Sequence, residues 1–179
     1  MKTDNKVQPL SVRSVTFGAL TIALIVVFFT FFKGVTNILN AFFVPITLFS
    51  FSINRKASEL LAVSAGAIAI CALFFNLQLI FIVFYCVIAL ILSTLNRKNA
   101  GIVVSAITLS VAVTIFFWIA IMLTDTLFKT HMSEILLKLM NDSRVYYILL
   151  LTFEGTMVGI SQLFVSRLIS KKLRAFERN

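Results

Sequence analysis

The chain has 179 residues, 60% of them hydrophobic and 13% charged, with a formal net charge of +9 and a mean hydropathy of +1.02. A soluble domain is about half apolar and about a quarter charged. The composition therefore excludes an ordinary soluble domain and points to an integral membrane protein.

Residues 15–32 (VTFGALTIALIVVFFTFF) and 35–53 (VTNILNAFFVPITLFSFSI) carry no charge. A bilayer-spanning helix needs about 20 such residues, so each block predicts one span. The block 57–95 is too long for one span. At ~1.5 Å per residue it would reach about 58 Å, against about 30 Å of hydrocarbon. Asn76 and Gln78 are the strongly polar residues near its middle and predict a tight turn between spans 57–75 and 77–95. The uncharged stretch 100–124 predicts a fifth span. Residues 145–170, interrupted by Glu154 and Arg167, predict a sixth. The expected fold is all-α, a single integral membrane bundle of six transmembrane helices over 1–179. The alternative is a five-span chain in which 57–95 does not fold back.

Between the last two spans, residues 125–144 read as an external amphipathic segment. Leu127, Phe128, Met132, Ile135, Leu136, Leu139 and Met140 recur near helical spacing, with Asp125, Lys129, Glu134, Lys138 and Asp142 between them. Such a pattern suits a short helix on the membrane interface. It is either a plain connector or a lid over a pocket. Asp142 or Ser143 is the expected cap of the sixth span.

The basic residues set the orientation. With six spans, one side holds Lys2, Lys6, Arg13, Arg55, Lys56, Arg97, Lys98, Arg167, Lys171, Lys172, Arg174 and Arg178. The other holds Lys33, Lys129, Lys138 and Arg144. The positive-inside rule then places both termini in the cytoplasm. The net charge is thus mainly topological. The basic tail RLISKKLRAFERN reads as an orientation signal with anionic-lipid contact, and nucleic acid is not an expected partner.

The first apolar run is longer than a signal-peptide core and lacks a small-x-small site after it, so it reads as a retained span. Cys71 and Cys86 fall inside adjacent spans and read as small packing residues. His131 has no clustered partner, so no metal site is expected. No phosphate-cradling loop, HExxH or intramembrane Ser–His pair is present, and the expectation is a non-enzyme without a cofactor. No convincing internal repeat suggests a secondary transporter built of inverted repeats.

In the first span, Ala19 and Ala23 form a small-xxx-small pair that lets another helix approach closely. That helix is either a neighbour in the bundle or a separate subunit. The opening LSVRSVTFGALTIALIVV and the segment FVPITLFSFSINRKASELLAVSAGAIA resemble the corresponding parts of substrate-binding S components of energy-coupling factor (ECF) transporters. The resemblance implies an ECF-type ABC importer subunit in a bacterial cell membrane, with an outward-facing pocket for a small molecule. It also implies docking through the Ala19/Ala23 face onto a transmembrane T component driven by two ATPase subunits. The chain also resembles the rod-shape protein MreD and the YybS-like small multispan proteins, which imply a structural or interaction role instead.

Four residues are candidate ligand contacts. Measured from the external ends of their spans, Tyr85, Trp118 and Glu154 lie some 9 to 14 Å deep at ~1.5 Å per residue. Tyr147, near the start of the sixth span, is the fourth. A carboxylate beside aromatic rings suits a cationic or amine-bearing molecule. A carboxylate at mid-membrane costs roughly 2.5–3.5 kcal/mol on insertion scales and usually faces a partner or a wet cavity. The competing reading makes Glu154 a protonated group bonded to a neighbouring hydroxyl or carbonyl, and leaves Tyr85 and Trp118 to packing or lipid.

Overall fold

A computed structural model describes residues 12–32, 37–53 and 55–176; within these, the side chains of Arg13, Asn37 and 174–176 are not described. Lys2, Lys6, Lys33 and Arg178, used above for orientation, lie outside the described residues. The helices are α1 (Val12–Phe31), α2 (Asn37–Ser52), α3 (Ala57–Phe74), α4 (Leu79–Arg97), α5 (Ile102–Phe128), α6 (Met132–Leu139) and α7 (Arg144–Phe176). No strand occurs among the described residues.

Five of these helices, α1, α3, α4, α5 and α7, are long and apolar enough to cross a membrane. The apolar stretch of α2, Ile38–Ser52, is shorter. With 16 residues α2 rises about 24 Å, against a hydrocarbon thickness of about 30 Å. The long block 57–95 does fold back. A 3-10 turn, Asn76–Gln78, separates α3 from α4 where the two polar residues predict it.

The six longer helices pack as two main pairs, α2 with α4 and α5 with α7, and a third group in which α1 lies against both α2 and α3. The α2–α4 pair sits in the middle and touches both others. Along α1 and α3, Ser14 meets Glu59, Gly18 faces Val63, and Ile22 faces Gly66. The near-constant offset means these two helices run parallel. The core lies between the pairs and includes Ile25, Phe29, Leu48, Leu60, Ile88 and Leu109.

Pro45 lies inside α2 and has no N–H to give. The carbonyl one turn earlier, on Ala41, would be left without its helical partner. Gln162 of α7 fills that vacancy, its Nε2 donating to Ala41 O at 2.6 Å. A proline inside an apolar helix is tolerated when a neighbouring helix satisfies the freed group in this way.

At the end of the bundle where α3 begins, Arg55 pairs with Glu59 at 3.3 Å. Its guanidinium also lies 4.8 Å from the centre of the Phe51 ring, within reach of a cation–π contact. Ser14 donates to the same Glu59 carboxylate, and Arg97 of α4 donates to Arg55 O at 2.6 Å. One side chain of α3 thus ties α1 to the α2–α3 turn.

Candidate functional site

The opposite end of the bundle is shaped by a carboxylate. α5 runs on to Phe128, so Leu127 and Phe128 belong to its last turn rather than to the amphipathic segment. Lys129 and His131 then take left-handed backbone conformations, at φ 53° and 56°. These two residues end α5 and confine the following short helix to Met132–Leu139. Asp125 holds the turn together. Its Oδ1 accepts from Thr130 Oγ1 and from Met132 N, both at 2.6 Å, and its Oδ2 accepts from Ser133 N at 2.8 Å. The Ser133 hydroxyl donates to the same oxygen. Asp125 therefore caps α6 from the preceding helix, satisfying N–H groups that have no partner inside α6.

This docking fixes α6 across α5 and α7 and leaves an open groove of about 300 Å³ between the three. Trp118 of α5 forms one wall. Ser133, Glu134 and Leu137 of α6 form the second, and Arg144, Tyr147 and Ile148 of α7 the third. Trp118 is 49% exposed, and Tyr147 is half-buried. Glu134 and Arg144 are both exposed, and His131 Nδ1 lies 3.4 Å from Glu134. The groove thus offers two aromatic faces, one carboxylate and one guanidinium. Ser143 rather than Asp142 caps α7, through Tyr146 N to Ser143 Oγ at 3.5 Å.

Two of the four candidate ligand residues, Trp118 and Tyr147, come together here. Tyr85 and Glu154 do not line the groove. Depth is not what separates them. Phe84 stacks on Phe116 and Gly155 abuts Thr114, so Tyr85, Trp118 and Glu154 lie within about one helical turn along the bundle. Direction separates them. Tyr85 is 1% exposed and faces Phe29 and Phe81, with ring centroids 6.3 and 6.4 Å away. Glu154 is half-buried beside the α5–α7 contact, and no hydrogen bond or ion pair reaches its carboxylate among the described residues.

At that contact two helices approach tightly, and the sequence reading passes over the residues that make it. Gly155 and Gly159 are spaced like Ala19 and Ala23. A Cβ on Gly155 would stand 2.7 Å from Thr114 Cα, and one on Gly159 would stand 2.8 Å from Ser110 N. Ala19 and Ala23, by contrast, are exposed on the side of α1 that faces away from the bundle. Among the described residues no neighbouring helix covers them. The spacing of the glycines was visible in EGTMVG; which small pair packs inward was not.

Glu134, Arg144 and Asp125 are the charged residues of this site that sequence reading did not single out as functional. The alternation of charge with apolar residues over 125–144 was their only signal. Cys71 and Cys86 are buried and unpaired as thiols, and no cluster of metal-ligating side chains occurs among the described residues. No family model, curated protein or solved structure matches the chain.

Proposed function

We propose that this chain is a six-span membrane-embedded capture subunit of an ECF-type importer, with both termini in the cytoplasm and the α6 end outside. In this reading α2 completes the sixth crossing, and the groove takes a small amine-bearing molecule from the external medium. The observation that carries the proposal is the convergence of Trp118, Tyr147, Glu134 and Arg144 on one open groove. Its volume falls at the low end of the range for small-molecule sites, roughly 300–1,000 Å³. Glu134 receives the amine, Trp118 and Tyr147 flank its apolar body and charge, and Arg144 accommodates an acidic substituent. Glu154, outside the groove lining, is not assigned a contact with the molecule.

Docking onto a T component with two ATPase subunits would use the outward face of α1, where Ala19 and Ala23 leave room for close helix approach. Ala19→Leu/Ala23→Leu should insert and bind ligand yet fail to assemble with those partners. The same exposed face favours the second reading, a non-transporting interaction protein of the MreD or YybS kind. Mass spectrometry of the purified chain separates the two. The capture reading expects a stoichiometric small molecule that is absent from Trp118→Ala/Glu134→Gln. The interaction reading expects none, with a membrane protein recovered through α1 instead.

A further inference from the structure

The end of the bundle opposite the groove carries a second organised set of charges. Two hydrogen bonds tie α7 to the end of α4 and to the turn between α4 and α5. Ser170 Oγ donates to Asn96 Oδ1 at 3.2 Å, and Arg167 donates to Ala100 O at 2.9 Å. These bonds bracket the turn on both sides of Lys98. Asn99, the next residue, takes a left-handed conformation at φ 48°, which closes the turn.

Helical geometry places the remaining basic residues. At about 100° per residue, Arg167 and Lys171 lie about 40° apart on α7, both on the side flanking Ser170. Lys172 lies about 200° from Ser170, on the far side of the helix. Lys98, Arg167 and Lys171 are all exposed. The side chains of Lys98 and Lys171 make no hydrogen bond or ion pair among the described residues. The acid at this end among the described residues is Glu59, already held by Arg55 and Ser14. Asp125, Glu134 and Asp142 lie at the α6 end, and Glu154 is 13 residues, about 20 Å, further along α7.

A positive cluster without a countercharge among the described residues, set at the rim of an apolar bundle, complements a phosphate held at the membrane surface. We propose that Lys98, Arg167 and Lys171 bind the headgroup of an anionic phospholipid. Arg167 orients its guanidinium through Ala100, and the two lysines close around the phosphodiester from the turn and from α7. The acyl chains then lie against the exposed apolar faces of α5 and α7, where Val103, Val104, Phe164 and Leu168 are exposed. This site differs from the groove in location, ligand class and contributing turn.

The test is native mass spectrometry of the full chain in detergent, titrated with phosphatidylglycerol or phosphatidylcholine. Each basic side chain beside an anionic surface is worth about 1 kcal/mol, or roughly fivefold in affinity. Lys98→Gln/Lys171→Gln should therefore weaken phosphatidylglycerol binding roughly 25-fold, with phosphatidylcholine unaffected. That variant keeps the Arg167 and Ser170 bonds, so its melting temperature in detergent should match wild type. Lys172→Gln should bind phosphatidylglycerol as wild type does. Equal binding of the two lipids by wild type would overturn the proposal. So would an unchanged double variant, or a Lys172→Gln loss as large as that of Lys171→Gln alone. Displacement of the lipid by an excess of inorganic phosphate, with equal protection of the fold, would assign the site to free phosphate and also overturn it.

Discussion

Gln162 Nε2 donates to Ala41 O at 2.6 Å, and the reason for the bond sits four residues further along α2, at Pro45. Gln162 is 0% exposed, in an apolar interior where an unpaired carbonyl costs about 1–3 kcal/mol. Gln162→Ala leaves Ala41 O unpaired and should lower stability by about that amount, read as a fall in melting temperature in detergent. In a Pro45→Ala background α2 regains the N–H that bonds Ala41. The cost of Gln162→Ala should then fall by about 1–3 kcal/mol. An equal cost in both backgrounds would mean that the amide contributes only packing volume.

Gly155 and Gly159 make the second prediction. Their missing Cβ atoms allow α7 to lie against the Thr114 and Ser110 backbone of α5. Backbone cannot swing aside as a flexible side chain can. Gly159→Ala should separate the helices and destabilise the chain by about 1–3 kcal/mol, the usual range for overpacking. Ala19→Leu should leave the isolated chain's stability within about 0.5 kcal/mol of wild type, as expected for an exposed position. A tolerated Gly159→Ala would show that the contact is looser than its geometry.

Much of the helical layout was legible in the sequence because charge-free blocks and their polar breaks are one-dimensional signals. Asn76 and Gln78 announced the turn between α3 and α4. The shared depth of Tyr85, Trp118 and Glu154 was legible too, since depth follows residue count. Their directions were not. Each residue turns about 100° around its helix, so facing depends on which neighbour a helix finds. Tyr85 turns to Phe29 of α1, while Trp118 turns to α6. The length of α6 was hidden for another reason. Lys129 and His131 break the helix by taking left-handed conformations, which neither residue type announces, and Asp125 supplies the bonds that hold them there.

Asp125 is accordingly the residue on which the groove depends without being part of its lining. Asp125→Ala removes every acceptor that caps α6. Loss of a helix cap costs about 0.5–2 kcal/mol, and α6 has only eight residues to absorb it. Hydrogen exchange should show α6 and the 129–131 turn opening, with α1–α4 protected as before. Unchanged exchange over α6 would mean that apolar contacts alone hold it in place.

The topology makes a separate prediction. With Cys71 and Cys86 replaced, a cysteine at Asn99 should resist a membrane-impermeant reagent in intact cells, and one at His131 should react. Asn99 lies in the α4–α5 turn and His131 beside the groove, at opposite ends of α5. External labelling at Asn99 would reverse the proposed orientation or reduce the number of crossings.

The central claim is that the α5–α6–α7 groove holds a small amine-bearing molecule, and its most direct test is ligand retention by paired variants. The molecule carried by purified wild type should be identified by mass and its affinity measured for Trp118→Ala, Glu134→Gln and Glu154→Gln. A hydrogen bond to a charged group is worth roughly 1.5–3 kcal/mol, about ten- to a hundredfold. Glu134→Gln should lose that much affinity, Trp118→Ala should weaken the same ligand through lost aromatic contact, and both should melt within a few degrees of wild type. Glu154→Gln should fold normally and change affinity less than Glu134→Gln, because Glu154 stands outside the groove lining. A folded Glu134→Gln that binds as wild type, beside a Glu154→Gln that does not, would move the site away from the groove and contradict the account.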